Sequence, residues 1–183
     1  IRALIASISN AYPVGAAMFL DATGDNVHFK SRLFEGVDSS CSSVSPKTLV
    51  LDGQQRTTSI YRSMYCKSAV KTMDSKKKPI SRYYYLNIPL CLDTLTDRID
   101  AVVSVPEDRV IRENIGRDIK LDLSTPEKEY EQHYFPLNIV FDPNSTMNWM
   151  FGYLNFHSHS QEIQNQWTNF WKEILSPMSQ YQI

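Results

Sequence analysis

Thr48 to Met64 reads TLVLDGQQRTTSIYRSM, and the class of the fold turns on this stretch. TLVL is a short apolar run of the length expected for a buried strand. Asp52-Gly53 breaks it, and a helix is predicted from Gln54 to about Ala69, with Ile60, Tyr61, Met64 and Tyr65 on one apolar face. Strand, glycine turn and helix in that order predict an α/β (α+β) domain. The start of such a helix leaves backbone N–H groups unsatisfied and carries partial positive charge, which suits anions and phosphates above all. Gly53 lets a ligand approach the backbone closely. Gln54 and Gln55 bring amides, Arg56 a guanidinium fork matched to phosphate oxygens, and Thr57 and Thr58 hydroxyls at the same end. Asp52 would repel a phosphate unless it holds a metal ion, orients Arg56 or positions water. A capped helix with a surface ion pair is the plainer reading of such a junction, but the polar pattern is longer than a cap requires.

Upstream, Leu4, Ile5 and Ile8 give Arg2–Asn10 helical spacing, and Tyr12-Pro13 stops that helix. Val14–Leu20 reads as a buried strand, with Gly15 close behind the proline. Residues 21–26 read as a turn, 27–34 as a second strand and 38–45 as a polar loop. Downstream, Lys71–Pro79 is a basic loop and Tyr83–Ile88 an aromatic strand. Leu92–Val103 leans helical, and Glu107–Asp122 is mixed and charged. Thr125-Pro126 opens a short helix reaching about His133, and Phe135-Pro136-Leu137 re-enters the core. From Ser145 the chain reads helical, interrupted at Asn155–Ser160, with Ile163, Trp167, Phe170, Trp171 and Ile174 on one side. A soft boundary near residue 142 divides a domain over 1–142 from a helical extension over 143–183.

The 183 residues are 42% hydrophobic and 21% charged, ordinary values for a folded chain able to bury its own core. The net charge of −1 gives no global basic field, so any DNA contact would need a local patch. Cys41, Cys66 and Cys91 are odd in number and widely spaced, which argues against disulfides and zinc and for a cytoplasmic, reducing setting. No apolar run nears the roughly 20 residues of a membrane span. The chain begins at Ile1, so an N-terminal part of the domain is expected to be missing.

LDGQQRTTSIY resembles the signature of the DGQQR-motif family, which includes GmrSD-type enzymes and phosphorothioate-sensing restriction proteins. LIASISNAYPVGAAMFL is similar to that family's helix, Pro-x-Gly turn and following strand. The same two boxes, in the same order, resemble ParB, and sulfiredoxin uses a related turn to hold ATP phosphates. The resemblance implies a ParB/sulfiredoxin-like fold that binds and hydrolyses a nucleoside triphosphate, with Mg²⁺ as companion ion, in a modification-dependent restriction protein. Carried over, it implies catalytic roles for Asp52, Gln54, Gln55 and Arg56. Gly53, Gln54, Gln55, Arg56, Thr57 and Gly15 are implied as the nucleotide-binding set, and Asp52 as the metal ligand. It implies DNA as a partner of the full-length protein, together with a nuclease domain or subunit. Family members carry an upstream Tyr-Gln-Arg-like segment that this sequence does not show before Ile1, and many carry a His-Asn-His nuclease that it does not show either. The rival expectation is a non-catalytic module that grips DNA or senses nucleotide with the same turn.

Other features have plainer readings. His157 and His159 fit a polar loop better than a metal site, and Lys76-Lys77-Lys78 a solvated loop better than a phosphate contact. In Tyr83-Tyr84-Tyr85, strand alternation buries Tyr84 or its two neighbours. Trp167 and Trp171 stand at helical spacing and fit a core, or a contact to further chain.

Overall fold

The computed structural model describes residues 1–23, 30–37, 40, 43, 45–74 and 76–181, with the Ile115 side chain excepted. Helix α1 (Arg2–Ser9) leads to a two-stranded antiparallel hairpin of β1 (Met18–Asp21) and β2 (Thr48–Asp52). Helix α2 (Gln54–Met64) follows, then β3 (Val70–Met73) and β4 (Pro79–Asn87). Two short helices, α3 (Ile88–Leu92) and α4 (Arg98–Ala101), precede β5 (Val102–Pro106) and a second hairpin, β6 (Val110–Glu113) and β7 (Asp118–Asp122). Helix α5 (Pro126–Glu131) and β8 (Tyr134–Pro136) lead into the C-terminal helices α6 (Pro143–Phe156), α7 (Gln161–Phe170) and α8 (Ser176–Ser179). A π-helical turn at Trp171–Leu175 joins the last two. The architecture is mixed α/β with a helical C-terminal part, as expected.

Strand β4 organises the molecule. It pairs antiparallel with β3 at its start, with β5 from Arg82 onward and with β8 at its end. Both of its faces are covered. Tyr84 and Leu86 join the larger core, with Ile5, Ile8, Phe135, Trp149, Tyr153, Trp167 and Phe170. Tyr85 faces the other way into a smaller core with Val105, Leu121 and Leu123. Alternation therefore buries Tyr84 and Tyr85 alike, one on each side. The helices beyond residue 142 supply six of the aromatic and aliphatic side chains of the larger core: Trp149, Tyr153, Trp167, Phe170, Ile174 and Leu175.

Several local expectations are corrected. The strand predicted over Val14–Leu20 begins only at Met18, and Met18 and Phe19 are more than half exposed. β2 is likewise not buried, and among the described residues no third strand joins this hairpin. Helix α2 stops at Met64 rather than Ala69, since Cys66 N–H turns back to the Tyr61 carbonyl and Val70 enters the sheet. The basic loop of Lys71–Pro79 is largely β3, a turn and the first residue of β4, paired Val70 to Arg82 through Met73 to Pro79. The helical reading of Leu92–Val103 is split by α4 and the start of β5. Trp171 leaves the apolar side and is 44% exposed, because the π-helical turn rotates it outward. Of the strand predicted over 27–34, residues 27–29 lie outside the described residues, and 30–34 form no regular structure. Residues 24–26 of the predicted turn and most of the 38–45 loop, Cys41 included, also lie outside them. Cys66 and Cys91 are free thiols, and burial pushes Cys91 up to about 11. Among the described residues no helix is long and apolar enough to cross a membrane.

Candidate functional site

Gly53 sits at the N-cap of α2 with φ 84° and ψ 8°, a left-handed conformation that only glycine adopts freely. It has no side chain with which to cap the helix, and among the described residues no other side chain caps it. The first amide satisfied within the helix is that of Thr57, 3.0 Å from the Gly53 carbonyl. The amides of Gln54, Gln55 and Arg56 are therefore the open N–H groups at this end. A Cβ on Gly53 would stand 3.4 Å from Ala17, so the turn is packed closely against the segment leading into β1.

Arg56 makes that packing specific. Its guanidinium donates to the Val14 carbonyl and, at 2.7 Å, to the Ala16 carbonyl. Gly15 lies between those two acceptors with φ +93°, and a Cβ there would fall inside contact distance of Arg56 Nη1 and 3.1 Å from Cζ. The same two carbonyls are thereby withheld from a strand ladder, which explains why β1 starts at Met18. The loop is pinned from a second side by Tyr181. Val14 N–H donates to its hydroxyl at 3.0 Å, and the hydroxyl donates to the Tyr12 carbonyl at 2.6 Å. Residues 12–16 are thus held between the start of α2 and the C-terminal part of the chain.

The other expected residues fall around this turn. Asp52 ends β2, opposite Met18, and its carboxylate is exposed, with no hydrogen bond or ion pair among the described residues. Gln54 and Gln55 are exposed; Gln54 Nε2 donates to the Val50 carbonyl at 2.9 Å, while the Gln55 side-chain amide has no partner among the described residues. The Thr57 hydroxyl turns inward to the Gly53 carbonyl at 3.1 Å and braces the turn. Further along α2, Arg62 is 7% exposed and pairs with Glu35, fastening residues 35 and 36 to the same helix. Sequence reasoning missed Arg62, Glu35 and Tyr181. Tyr181 lies 167 residues from Val14, and no local pattern marks it.

The sequence matches the family model described as GmrSD restriction endonuclease, N-terminal domain, over residues 1–176. The chain belongs to this family. A GmrSD N-terminal domain is part of a restriction-system defence protein, and the match runs through the α2 turn and nearly to the end of the C-terminal helices. No curated protein and no solved structure matches the chain.

Two histidine expectations can be placed as well. His157 stacks on His133, with ring centroids 4.9 Å apart, and its Nε2 lies 3.0 Å from the Tyr130 carbonyl; His159 lies 2.6 Å from Asn155. Among the described residues of this GmrSD-family domain, no group of three or more His, Cys, Asp or Glu is placed to hold a metal.

Replacing Tyr181 by phenylalanine removes both hydrogen bonds to the 12–14 loop and keeps the ring. Amide hydrogen exchange at Val14 is expected to rise about tenfold, for roughly 1.5 kcal/mol of hydrogen bonding removed. An unchanged rate would mean that Arg56 holds the loop alone.

Proposed function

We propose that this domain binds and hydrolyses a nucleoside triphosphate at the Asp52–Arg56 turn, within a protein that restricts modified DNA and works with a nuclease domain or subunit. The observation that carries the reading is the uncapped, exposed start of α2 lying against the Gly15 loop that Arg56 pins. Three open amides and a partial positive charge are suited to the phosphates. Gly53 and Gly15 remove the side chains that would block their approach. Arg56 uses two of its five donors on carbonyls. The rest remain for charge developing on the transferred phosphoryl group, and the anchored ones fix its orientation. Gln55, exposed and without a partner among the described residues, orients the attacking water; Gln54 is tied to Val50 and shapes the turn.

Asp52 suits a magnesium ion. Its exposed carboxylate is free, and no second carboxylate joins it among the described residues. That matches an ion held by one carboxylate together with phosphate oxygens and water. When bound, the ion would neutralise phosphate charge that Asp52 otherwise repels. The two boxes around this turn also support a ParB-like arrangement.

Calorimetric titration of GTP, ATP and CTP with Mg²⁺, paired with phosphate release, tests the reading. Binding in the micromolar range is expected. Arg56→Ala should weaken it at least about 100-fold, because the alanine cannot make two charge-assisted hydrogen bonds to phosphate. Asp52→Ala is expected to lower turnover by about the same factor. Nucleotide bound without turnover would favour a sensor. A folded protein that binds none of the three would overturn the proposal.

A further inference from the structure

On the face of the sheet that carries Arg82 and Tyr84, an open groove of about 450 Å³ runs past the start of α1. It is distinct from the α2 turn. Arg82 and Tyr84 alternate along β4, Ser104 lies opposite Tyr84 on β5, and Thr72 belongs to β3. Arg2 forms the α1 side, where its guanidinium is fixed by the Val102 carbonyl at 2.7 Å and the Ile99 carbonyl at 2.6 Å.

Two features set this groove apart from ordinary surface. Tyr84 is only 6% exposed, yet its hydroxyl has no hydrogen-bond partner among the described residues. The hydroxyl is not among the buried unpartnered atoms, so it opens into the groove and is free to donate to a ligand there. Beside it, the half-buried Arg82 guanidinium has neither hydrogen bond nor ion pair among the described residues. Burial pushes the Tyr84 hydroxyl above its usual range, and Arg82 is close enough to offset part of that. The single acid on the groove wall, Asp74, is committed elsewhere: its Oδ1 accepts from the amides of Lys76 and Lys78, both at 2.8 Å. That cap shapes the β3–β4 turn and ties the exposed Lys76, Lys77 and Lys78 to Asp74 on the groove wall.

The geometry points to a binding site for the phosphodiester backbone of a DNA duplex, with Arg82 and the Tyr84 hydroxyl taking one phosphate and the Lys76–Lys78 turn following the strand. The occupant is argued from charge and shape. A guanidinium fork and a hydroxyl donor match phosphate oxygens, and three further cations on the adjoining turn match a repeating anion rather than a single one. The groove is open along the sheet, as a chain ligand requires. Its aromatic residue, Tyr84, is buried in the core and leaves little ring surface for base stacking, so backbone contact with little sequence preference is expected. The groove lies at the start of α1 and the Arg56-pinned loop at its end. Eight residues of helix, roughly 12 Å, separate them.

Fluorescence anisotropy with a short labelled duplex of mixed sequence, titrated over a range of salt, tests the site. Neutralising about four phosphates predicts a log–log salt slope of roughly −3 to −4. Arg82→Gln is expected to flatten the slope by about 1, and reversing the three lysines to glutamate to abolish binding at moderate salt. Tyr84→Phe preserves the core ring and should weaken binding several-fold. Melting curves establish that each variant is folded. Wild-type protein that binds no duplex, or binding untouched by both Arg82→Gln and the lysine reversal, overturns the site. So does saturation by inorganic phosphate in a protein that ignores duplex. Nucleotide turnover is read separately through Arg56→Ala: duplex binding that survives in that variant, with phosphate release abolished, keeps the two sites distinct. Duplex binding abolished there and intact in the Arg82 and lysine variants would assign DNA to the α2 turn instead.

Discussion

Gly15→Ala is expected to abolish nucleotide binding, with an affinity loss of about 100-fold or more and little change in global stability. The reason is local. The φ of +93° at Gly15 is strained for any residue with a Cβ, at roughly 1–3 kcal/mol. The added methyl would also fall well inside contact distance of Arg56 Nη1. The two costs fall on one contact, so the loop must either change its backbone or expel the guanidinium. Either outcome parts Arg56 from the Val14 and Ala16 carbonyls and releases its orientation at the start of α2. Gly15 is exposed and outside both cores, so the fold should persist, and a melting temperature within a few degrees of wild type would show it. Calorimetric titration of the nucleotide then reads the site alone. Undiminished binding would mean that the loop is scaffold and that Arg56 meets no ligand.

The α2 turn was the most legible part of the sequence, because its signals are local. A strand, a glycine and a polar helix start lie within eleven residues, and the elements appear where the pattern puts them. The role of Arg56 was only half legible. Residue type suggests a phosphate ligand, but its anchoring on Val14 and Ala16 depends on a contact across 40 residues. Tyr181 was not legible at all, since a lone tyrosine in a polar tail carries no periodic signal. The same reasoning explains the misreading of Lys71–Pro79. Charged residues there suggested a loop, yet β4 supplies backbone partners that override a weak strand propensity. Val14–Leu20 failed in the opposite sense. Small apolar residues suggested burial, but β1 lies in a two-stranded hairpin with β2, and among the described residues no third strand joins it. Periodic core elements such as α1 and α7 were read correctly because their apolar faces do meet a core.

The largest stability loss is expected from Glu129→Ala, at about 3–5 kcal/mol in urea unfolding at neutral pH. Glu129 is 3% exposed on α5, where it joins the two cores. One oxygen accepts from the Tyr85 hydroxyl at 3.0 Å, on the side of the smaller core, and the other from Trp149 Nε1 at 2.9 Å, in the larger one. Arg109 stands 3.5 Å away, its guanidinium also lying 4.7 Å from the Tyr83 ring centroid. Truncation strands two buried donors and an arginine and leaves a cavity between the layers. Burial also raises the Glu129 carboxyl above the usual glutamate range, despite the donors that pull it down. The native state then holds a proton that the unfolded chain has released. This group's contribution therefore falls as pH rises from the ordinary glutamate value through the raised native one, and is level beyond it. Glu129→Gln should flatten that part of the pH profile, since it keeps the shape and removes the titration. A slope that survives the substitution would place the proton elsewhere. An alanine cost below about 1 kcal/mol would mean that aromatic packing, not the carboxylate, holds α5 and α6 to the sheet.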